Sequence, residues 1–178
     1  MKPNRIEYED FDKMKPDKMK EEYKDFVGIY DESVPVELCN EFVEKVIGLI
    51  KKKHEDLKIL NFSLPNEPKY EETEQPELMP FAQWHEILKL PNCKGFISTD
   101  SCLSHFARSA GRKGVAIWGG TRWPQFGYKQ NRNINKWWSE WDEWDNEKFE
   151  PQDPRNIMVE PEVVFEQFEK IYGKELIK

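Results

Sequence analysis

The sequence predicts an α/β protein: a single Rossmann-like domain built around a mostly parallel sheet. Short apolar runs of strand type alternate along the chain with longer segments whose apolar residues recur every three or four positions. The apolar runs lack polar alternation, which is typical of parallel strands covered on both faces. With 178 residues, the chain is long enough for one such domain and too short for two full ones.

The first half of the domain has the order strand, helix, strand. Residues 26–30 are a strand-type run, and a turn follows in which Pro35 suits a first helical turn. Residues 36–53 carry one apolar stripe at helical spacing, and residues 57–62 form a second strand-type run. This order predicts a right-handed parallel unit.

The second half repeats the alternation after a long, proline-rich surface loop at 63–80. The predicted elements are a helix at 81–90, a strand at 94–98, a helix at 102–110 closed by Gly111, a strand at 114–118 and a last helix that opens at Pro161. Residues 121–155 are predicted to be irregular, and they hold five of the seven tryptophans.

Residues 1–25 are predicted to be a charged tail outside the domain, which we place at 26–178. Fifteen of these 25 residues are charged. The net charge of -7 argues against a nucleic-acid partner. No apolar run approaches the length of a membrane span, the charged N-terminus is unlike a signal peptide, and three cysteines suit a reducing compartment. We therefore expect a cytoplasmic protein without a transmembrane segment.

The segment with most chemical information follows the predicted strand at 94–98. Three small polar residues, Thr99, Asp100 and Ser101, come directly before a helix, and Asp100 or Ser101 can cap it. Free N–H groups in the first turn of a helix favour an anion, and open α/β sheets bind ligands at the carboxyl ends of their strands. The segment therefore predicts a phosphate site, although a helix cap alone would use the same residues.

A second turn follows the next predicted strand at the same edge of the sheet. It is formed by Gly119, Gly120 and Thr121. Its two glycines allow the backbone to approach a ligand closely. Side by side, the two turns can hold a diphosphate.

This part of the chain resembles glycosyltransferase family 9, the heptosyltransferase-like family. The stretch DSCLSHFA at 100–107 is similar to the family pattern D-S/T-G-x-x-H-L/I-A, and the following strand and glycine turn keep the family's order. Weaker similarity covers most of residues 26–172. The resemblance implies a domain like the C-terminal, donor-binding half of a GT-B glycosyltransferase.

The same resemblance implies a nucleotide diphosphate sugar donor, such as ADP-heptose. Asp100 would lie near the donor sugar, Ser101 and the backbone at Cys102 would form the diphosphate cradle, and His105 matches the family histidine. Glu67 is a candidate for the acidic residue that holds the nucleotide ribose. The full expected donor-binding set is Thr99, Asp100, Ser101, Cys102, His105, Gly119, Gly120 and Thr121. No catalytic residue is assigned, and neither a cofactor nor a metal is expected.

The chain departs from the family in two ways. Cys102 stands where the motif has glycine, so a side chain could crowd a phosphate. The chain also matches only the donor half, so the acceptor side would have to come from a partner chain. A degenerate donor domain, used for binding or assembly without catalysis, is therefore the main alternative.

Other interpretations of single residues stay open. Cys102 and His105 could form a nucleophile and base pair, or His105 could brace its helix through a hydrogen bond to the backbone. His54 and Asp56 form an H-x-D pair, as in iron and 2-oxoglutarate dioxygenases, with His105 as the third ligand. The tryptophans of segment 137–144 either pack on the domain or stack on an acceptor sugar or a partner protein.

Overall fold

The computed structural model describes residues 25–30, 32–33, 36–37, 39–64, 67–75, 81–118, 123–134 and 159–172. Its elements are β1 (Phe26–Tyr30), β2 (Glu32–Ser33), β3 (Val36–Glu37), α1 (Asn40–Lys53), β4 (Lys58–Asn61), α2 (Phe81–Lys89), β5 (Cys93–Thr99), α3 (Cys102–Ser109), β6 (Gly114–Ile117), α4 (Trp123–Phe126), β7 (Arg132–Ile134) and α5 (Pro161–Tyr172). Residues 1–24, which make up almost all of the predicted tail, and the tryptophan-rich segment 137–144 lie outside the described residues.

Five strands form one parallel sheet in the order β4-β1-β5-β6-β7. This confirms the predicted α/β fold with a Rossmann-like, mostly parallel sheet. The four strands predicted from the apolar runs all belong to this sheet. A separate antiparallel pair is formed by β2 and β3.

The sheet has a hydrophobic core on each face. One core lies against α1 and α5, and the other lies against α2 and α3. Neighbouring residues of β1 show the division, because Val27 belongs to the first core and Phe26 to the second. Fully burying each such side chain contributes about 1.5–3 kcal/mol. Among the helices the structure describes, none is long and apolar enough to cross a membrane.

At two positions between the end of α3 and the start of β6, the structure requires glycine: one for its backbone conformation and one for close packing. Gly111 follows α3 with a φ of 74°, the left-handed conformation that commonly ends a helix, as the sequence predicts. Gly114 pairs with Phe96 across β5 and β6, and a Cβ at Gly114 would lie only 2.3 Å from Cδ1 of Phe96. The Phe96 ring therefore lies directly over the start of β6.

Two local predictions are wrong. The first helix begins at Asn40 and not at 36, because the backbone of Val36–Glu37 pairs with that of Glu32–Ser33. The segment 121–155 is not irregular throughout, since it contains α4 and β7. The strand β7 has no apolar alternation of its own and depends on its pairing with β6.

Candidate functional site

The strand order defines where a ligand crevice should lie. From β1 the chain passes to β4 on one side, and then crosses to β5 on the other side of β1. In open α/β sheets, ligands bind beyond the carboxyl ends of the strands at such a switch point. Since β1 ends at Tyr30 and β5 at Thr99, the crevice is expected between these residues. The candidate segment 99–102 begins at this point.

The N-terminus of α3 lies at this switch point and has unmatched polar groups. Ser101 occupies the N-cap position with an extended backbone (φ -147°, ψ 173°), but its hydroxyl makes no capping hydrogen bond. Its Oγ is buried, and it has no hydrogen-bond partner among the described residues. A buried polar group left in this state costs about 1–3 kcal/mol. Together with the N–H groups of Cys102 and Leu103, which have no carbonyl acceptor one turn earlier in the helix, it forms a donor set that an anion would complete.

Two further hydroxyls near this point, those of Ser98 and Thr99, are buried and also lack a partner within the described part of the chain. They are consecutive residues of β5, so their side chains point to opposite faces of the sheet. Only one of them can therefore face a given ligand. Thr99 is 0% exposed, which shields it from solvent. Asp100 is half-buried, and Ser101, not Asp100, occupies the N-cap.

Glu67 reaches the same crevice from the loop that follows β4. The Tyr30 hydroxyl donates a hydrogen bond to Oε1 of Glu67 at 3.2 Å. The backbone N–H of Leu64 donates to Oε2. The Glu67 carboxylate is also close enough to α3 to act electrostatically on Cys102. The structure thus places Glu67 and the start of α3, which are more than thirty positions apart in the sequence, at the carboxyl ends of the neighbouring strands β1 and β5.

The geometry does not support a nucleophile and base pair formed by Cys102 and His105. Burial raises the pKa of the Cys102 thiol, the N–H groups of Cys102 and Leu103 act in the opposite direction, and the charge of Glu67 adds to the rise. A raised pKa keeps the thiol protonated, whereas a nucleophile needs the thiolate. His105 is exposed, and its Nδ1 lies 2.7 Å from the Tyr128 hydroxyl.

His105 braces its helix through a side chain, where the sequence suggested a backbone partner. The two rings of His105 and Tyr128 meet edge to face at a centroid distance of 5.6 Å. The guanidinium of Arg108, one turn further along α3, lies 5.9 Å from the centre of the Tyr128 ring. These contacts join α3 to the loop that precedes β7.

The dioxygenase-like interpretation is wrong. It requires a β-barrel and a metal shared by His54 and His105, whereas the sheet is open and parallel. His54 ends α1 and contacts Glu169 of α5 on one face of the sheet, while His105 lies on α3 at the other face. Within the described residues, no group of three or more His, Cys, Asp or Glu side chains could hold a metal ion.

Part of the predicted donor site is not described. Gly119, Gly120 and Thr121 lie outside the described residues, so the second turn of the cradle stays a prediction. Sequence reasoning missed Tyr30, whose hydroxyl holds Glu67. The sequence places Tyr30 at the end of a strand, and so at the ligand-binding edge, but it gives no signal of the contact with Glu67.

Comparison with known proteins supports the fold assignment. No protein family model matches the chain, and no curated protein matches it by sequence. A family 9 glycosyl transferase from Veillonella parvula matches 85% of this chain and 46% of its own, with a TM-score of 0.61 at 14% identity. The E. coli heptosyltransferase WaaC, solved with ADP, matches 62% of this chain and 37% of its own, with a TM-score of 0.53 at 17% identity.

A third structure is the dodecameric, iron-containing heptosyltransferase TibC in complex with ADP-D-β-D-heptose. It matches 86% of this chain and 43% of its own, with a TM-score of 0.51 at 17% identity. At these identities the likeness concerns the fold, and at that level the expected similarity to family 9 is confirmed. The chain spans less than half the length of each of these three proteins.

Proposed function

We propose that the chain binds a nucleotide diphosphate sugar, of the ADP-heptose type, as the donor-binding part of a GT-B glycosyltransferase. The observation that carries this proposal is the N-terminus of α3 at the switch point of the sheet, together with the buried hydroxyl of Ser101, which has no partner among the described residues. A diphosphate would supply the missing acceptors. The shared fold with two heptosyltransferases solved with ADP or ADP-heptose supports the same ligand class.

The roles proposed for these residues combine their positions with what the resemblance to family 9 implies. Ser101 and the N–H groups at Cys102 and Leu103 would bind phosphate oxygens, and Asp100 would lie beside the donor sugar. As the bond between sugar and phosphate breaks, negative charge grows on the diphosphate. Donors that are already fixed in place stabilise this charge without reorganising. Glu67 would accept hydrogen bonds from the ribose.

The acceptor side is proposed to come from a partner chain or another domain. Holding acceptor and donor together can account for about 7–11 kcal/mol of a barrier, and a general base adds roughly a hundred- to ten-thousand-fold in rate. We therefore expect these 178 residues to bind the donor but to transfer no sugar at an appreciable rate alone. We also propose that the protein acts in the cytoplasm.

Thermal unfolding in the presence of nucleotides tests the donor site. A ligand that binds the folded state stabilises it by about 2.7 kcal/mol at one hundred times its Kd. We expect ADP, UDP or GDP, or one of their sugar conjugates, to raise the Tm. Asp100→Ala should remove most of the shift produced by a sugar conjugate. If no nucleotide and no inorganic pyrophosphate shifts the Tm, the proposal is wrong.

A non-catalytic donor-binding module is the second candidate. The position of Cys102 favours it, because its thiol lies against the N–H groups of Cys102 and Leu103 that would bind a phosphate. The two candidates differ in an assay for nucleoside diphosphate release from a donor, with candidate acceptors and partner proteins added. Acceptor-dependent release supports the transferase, and donor binding without release under any pairing supports the module.

A further inference from the structure

The positive charges of this acidic chain are concentrated in one stretch of the sequence. Residues 101–139 contain seven Lys and Arg residues and no Asp or Glu. All 34 Asp and Glu residues and only 20 of the 27 Lys and Arg residues lie elsewhere, so the rest of the chain has a net charge of -14. The structure describes five cations of this stretch: Arg108, Arg112, Lys113, Lys129 and Arg132.

The fold gathers these five cations at the amino ends of β6 and β7, on the edge of the sheet opposite to the proposed donor site. Arg108 is in the last turn of α3, and its guanidinium lies 5.9 Å from the centre of the ring of Tyr128, which belongs to the loop before β7. The N–H of Gly114, the first residue of β6, donates to Oδ1 of Asn131 in the same loop at 3.3 Å. These contacts hold the end of α3 and the start of β6 beside this loop, and with them the cations of all three segments.

One of the five cations has a clear structural role. Arg112 donates to three carbonyl oxygens at the end of α2. None of the five forms an ion pair with a carboxylate among the described residues, where each ion pair uses a cation from outside 101–139. Three of the other four are exposed and the fourth is half-buried. We call these four the basic cluster: Arg108, Lys113, Lys129 and Arg132.

Aromatic side chains accompany the basic cluster. Phe126, three residues before Lys129, is 51% exposed at the end of α4. The half-buried ring of Tyr128 supports the Arg108 guanidinium and is held in turn by His105, whose Nδ1 lies 2.7 Å from the Tyr128 hydroxyl. Arginine and aromatic side chains are enriched where proteins bind one another. The surface thus offers cations and an exposed apolar ring to a partner that has carboxylates and an apolar side chain.

We infer that the basic cluster is a docking surface for a short acidic segment of a partner protein. Carboxylates would supply counter-charges that the described residues lack, and the guanidinium of Arg108, held over the Tyr128 ring, has the planar form that pairs with a carboxylate through two hydrogen bonds. The attraction reaches only about 8 Å at physiological ionic strength, which a short segment matches. A membrane surface or a nucleic acid extends further and would also meet the acidic remainder of the chain, which repels it.

Fluorescence anisotropy with the full chain tests this inference. The probe is a labelled deca-glutamate peptide, and an uncharged Ser-Gly peptide of the same length is its control. The variant Lys113→Glu/Lys129→Glu reverses two exposed charges of the basic cluster. The matched control, Lys52→Glu/Lys69→Glu, reverses two exposed lysines elsewhere on the surface and has the same net charge. If the first variant does not fold, Lys113→Gln/Lys129→Gln, compared with Lys52→Gln/Lys69→Gln, decides.

We expect the native chain to bind the deca-glutamate peptide and not the Ser-Gly peptide, with an affinity that falls as salt is added. Reversal of the two cluster lysines should weaken binding about tenfold or more, because two attractions become repulsions. The control variant should stay within about threefold of the native affinity, since its charges lie outside the surface that the peptide covers.

Four results would overturn the inference. An equal loss of affinity in the two double variants would mean that binding follows net charge alone. Absence of peptide binding at about 0.15 M salt would show that the attraction is too weak to dock a partner. Binding of phosphatidylglycerol vesicles or of polyuridylic acid at least as tightly as the peptide would assign the cluster to a membrane or a nucleic acid. A native dimer that Lys113→Glu/Lys129→Glu abolishes would assign it to a second copy of the chain.

The same variants keep this inference separate from the proposed function. The basic cluster and the start of α3 lie at opposite edges of the sheet, so the shift in Tm produced by a nucleotide should be the same in both double variants and in the native chain. Failure of every nucleotide to shift the Tm contradicts the donor site, whereas the outcome of the peptide titration decides the docking surface.

Discussion

The two edges of the sheet treat their polar groups differently. At the amino edge, which is formed by the amino ends of the strands, cationic side chains donate hydrogen bonds to backbone oxygens at or just beyond the ends of helices. The guanidinium of Arg112 donates to the carbonyl oxygens of Leu88, Lys89 and Leu90 at 2.7–2.9 Å, and so closes the end of α2. The ammonium of Lys51 similarly donates to backbone oxygens beyond the end of α1.

The carboxyl edge leaves more of its buried polar atoms unmatched. Six buried side-chain atoms lack a partner among the described residues, and four of them belong to residues at or just beyond the carboxyl ends of strands: Asn61, Ser98, Thr99 and Ser101. Two of these residues bond through their other amide atom: Asn131, at the amino edge, accepts from the N–H of Gly114, and Asn61 donates to the carbonyl oxygen of Pro68. What distinguishes the carboxyl edge is its three buried hydroxyls without a partner among the described residues, those of Ser98, Thr99 and Ser101, which cost stability.

Removal of the amino-edge clamp should have the largest effect on stability. Arg112→Ala leaves three carbonyl oxygens without their charged donor, so we expect a loss of about 2 kcal/mol in the free energy of unfolding. Nucleotide affinity should stay within twofold of the native value, since the clamp is remote from the crevice. Urea denaturation and calorimetry measure both quantities. Lys113→Ala, an exposed neighbour, is the control and should change stability by less than about 0.5 kcal/mol.

The opposite response is expected at Ser101. Ser101→Ala removes a buried hydroxyl that has no partner in the described residues, so the free energy of unfolding should be unchanged or higher by up to about 1 kcal/mol. Affinity for a nucleoside diphosphate should fall about tenfold, because a ligand hydrogen bond is lost. A variant that loses both stability and affinity would mean that Ser101 is a structural cap, and the contrast between the edges would fail at this residue.

Cys102→Gly should have the opposite effects from Ser101→Ala, since it should raise the affinity for the ligand and lower the stability. The glycine restores the motif residue and removes the thiol that lies against the N–H groups of the first turn of α3. We expect a several-fold gain in affinity for pyrophosphate and nucleoside diphosphates, with a stability cost of up to about 1 kcal/mol. Cys102→Ser, which keeps a polar atom in place, is the control. Weaker binding by the glycine variant would show that the thiol contributes to the site.

The smallest effect is expected from a pH-dependent contact between the ends of α1 and α5. Burial alone would raise the pKa of Glu169, but hydrogen bonds from Lys53 and His54 outweigh it and hold the pKa below its ordinary value. A lowered pKa in the folded state gives stability that is present above the unfolded pKa and is lost as pH falls through the folded one. Because the contact lies at the surface, with the Lys53 side chain 58% exposed, its contribution should stay below about 1 kcal/mol.

Glu169→Gln should remove this contribution near neutral pH and flatten the fall in Tm on acidification below about pH 4.5. Thermal unfolding at intervals between pH 3 and 7 measures it, with Glu166→Gln on the exposed side of the same helix as control. Equal acid sensitivity of the native chain and Glu169→Gln would show that this contact does not control the response.

The strands and helices that the sequence predicted correctly have strong local patterns. The run at 26–30 and the stripe of α1 are apolar enough to specify their elements without distant partners. The strand β7 was missed because Arg132 and Asn133 carry no apolar signal. Its place depends on distant contacts, in which Trp118 donates from its backbone to Ile134 and from its indole to Asn133. Such pairing cannot be read from a window of neighbouring residues.

The candidate site likewise has one part that the sequence could predict and one part that it could not. The segment 99–102 was predictable because strand, polar turn and helix are contiguous in the sequence. The hydrogen bond between Tyr30 and Glu67 was not predictable, because the loop between β4 and α2 is polar and proline-rich and was expected to lie on the surface. Tyr70 of that loop is instead 4% exposed and packs into the core beside α1.

The same loop also affects how the sheet can associate with other copies of the molecule. Glu74 pairs with β4 through one isolated parallel bridge. Its N–H donates to the carbonyl oxygen of Ile59, and its carbonyl oxygen accepts from the N–H of Asn61, both at 2.8 Å. These are backbone groups through which an edge strand would otherwise recruit a strand from another molecule. A single residue of the described part of this loop thus blocks strand addition along β4, and with it one common route to aggregation.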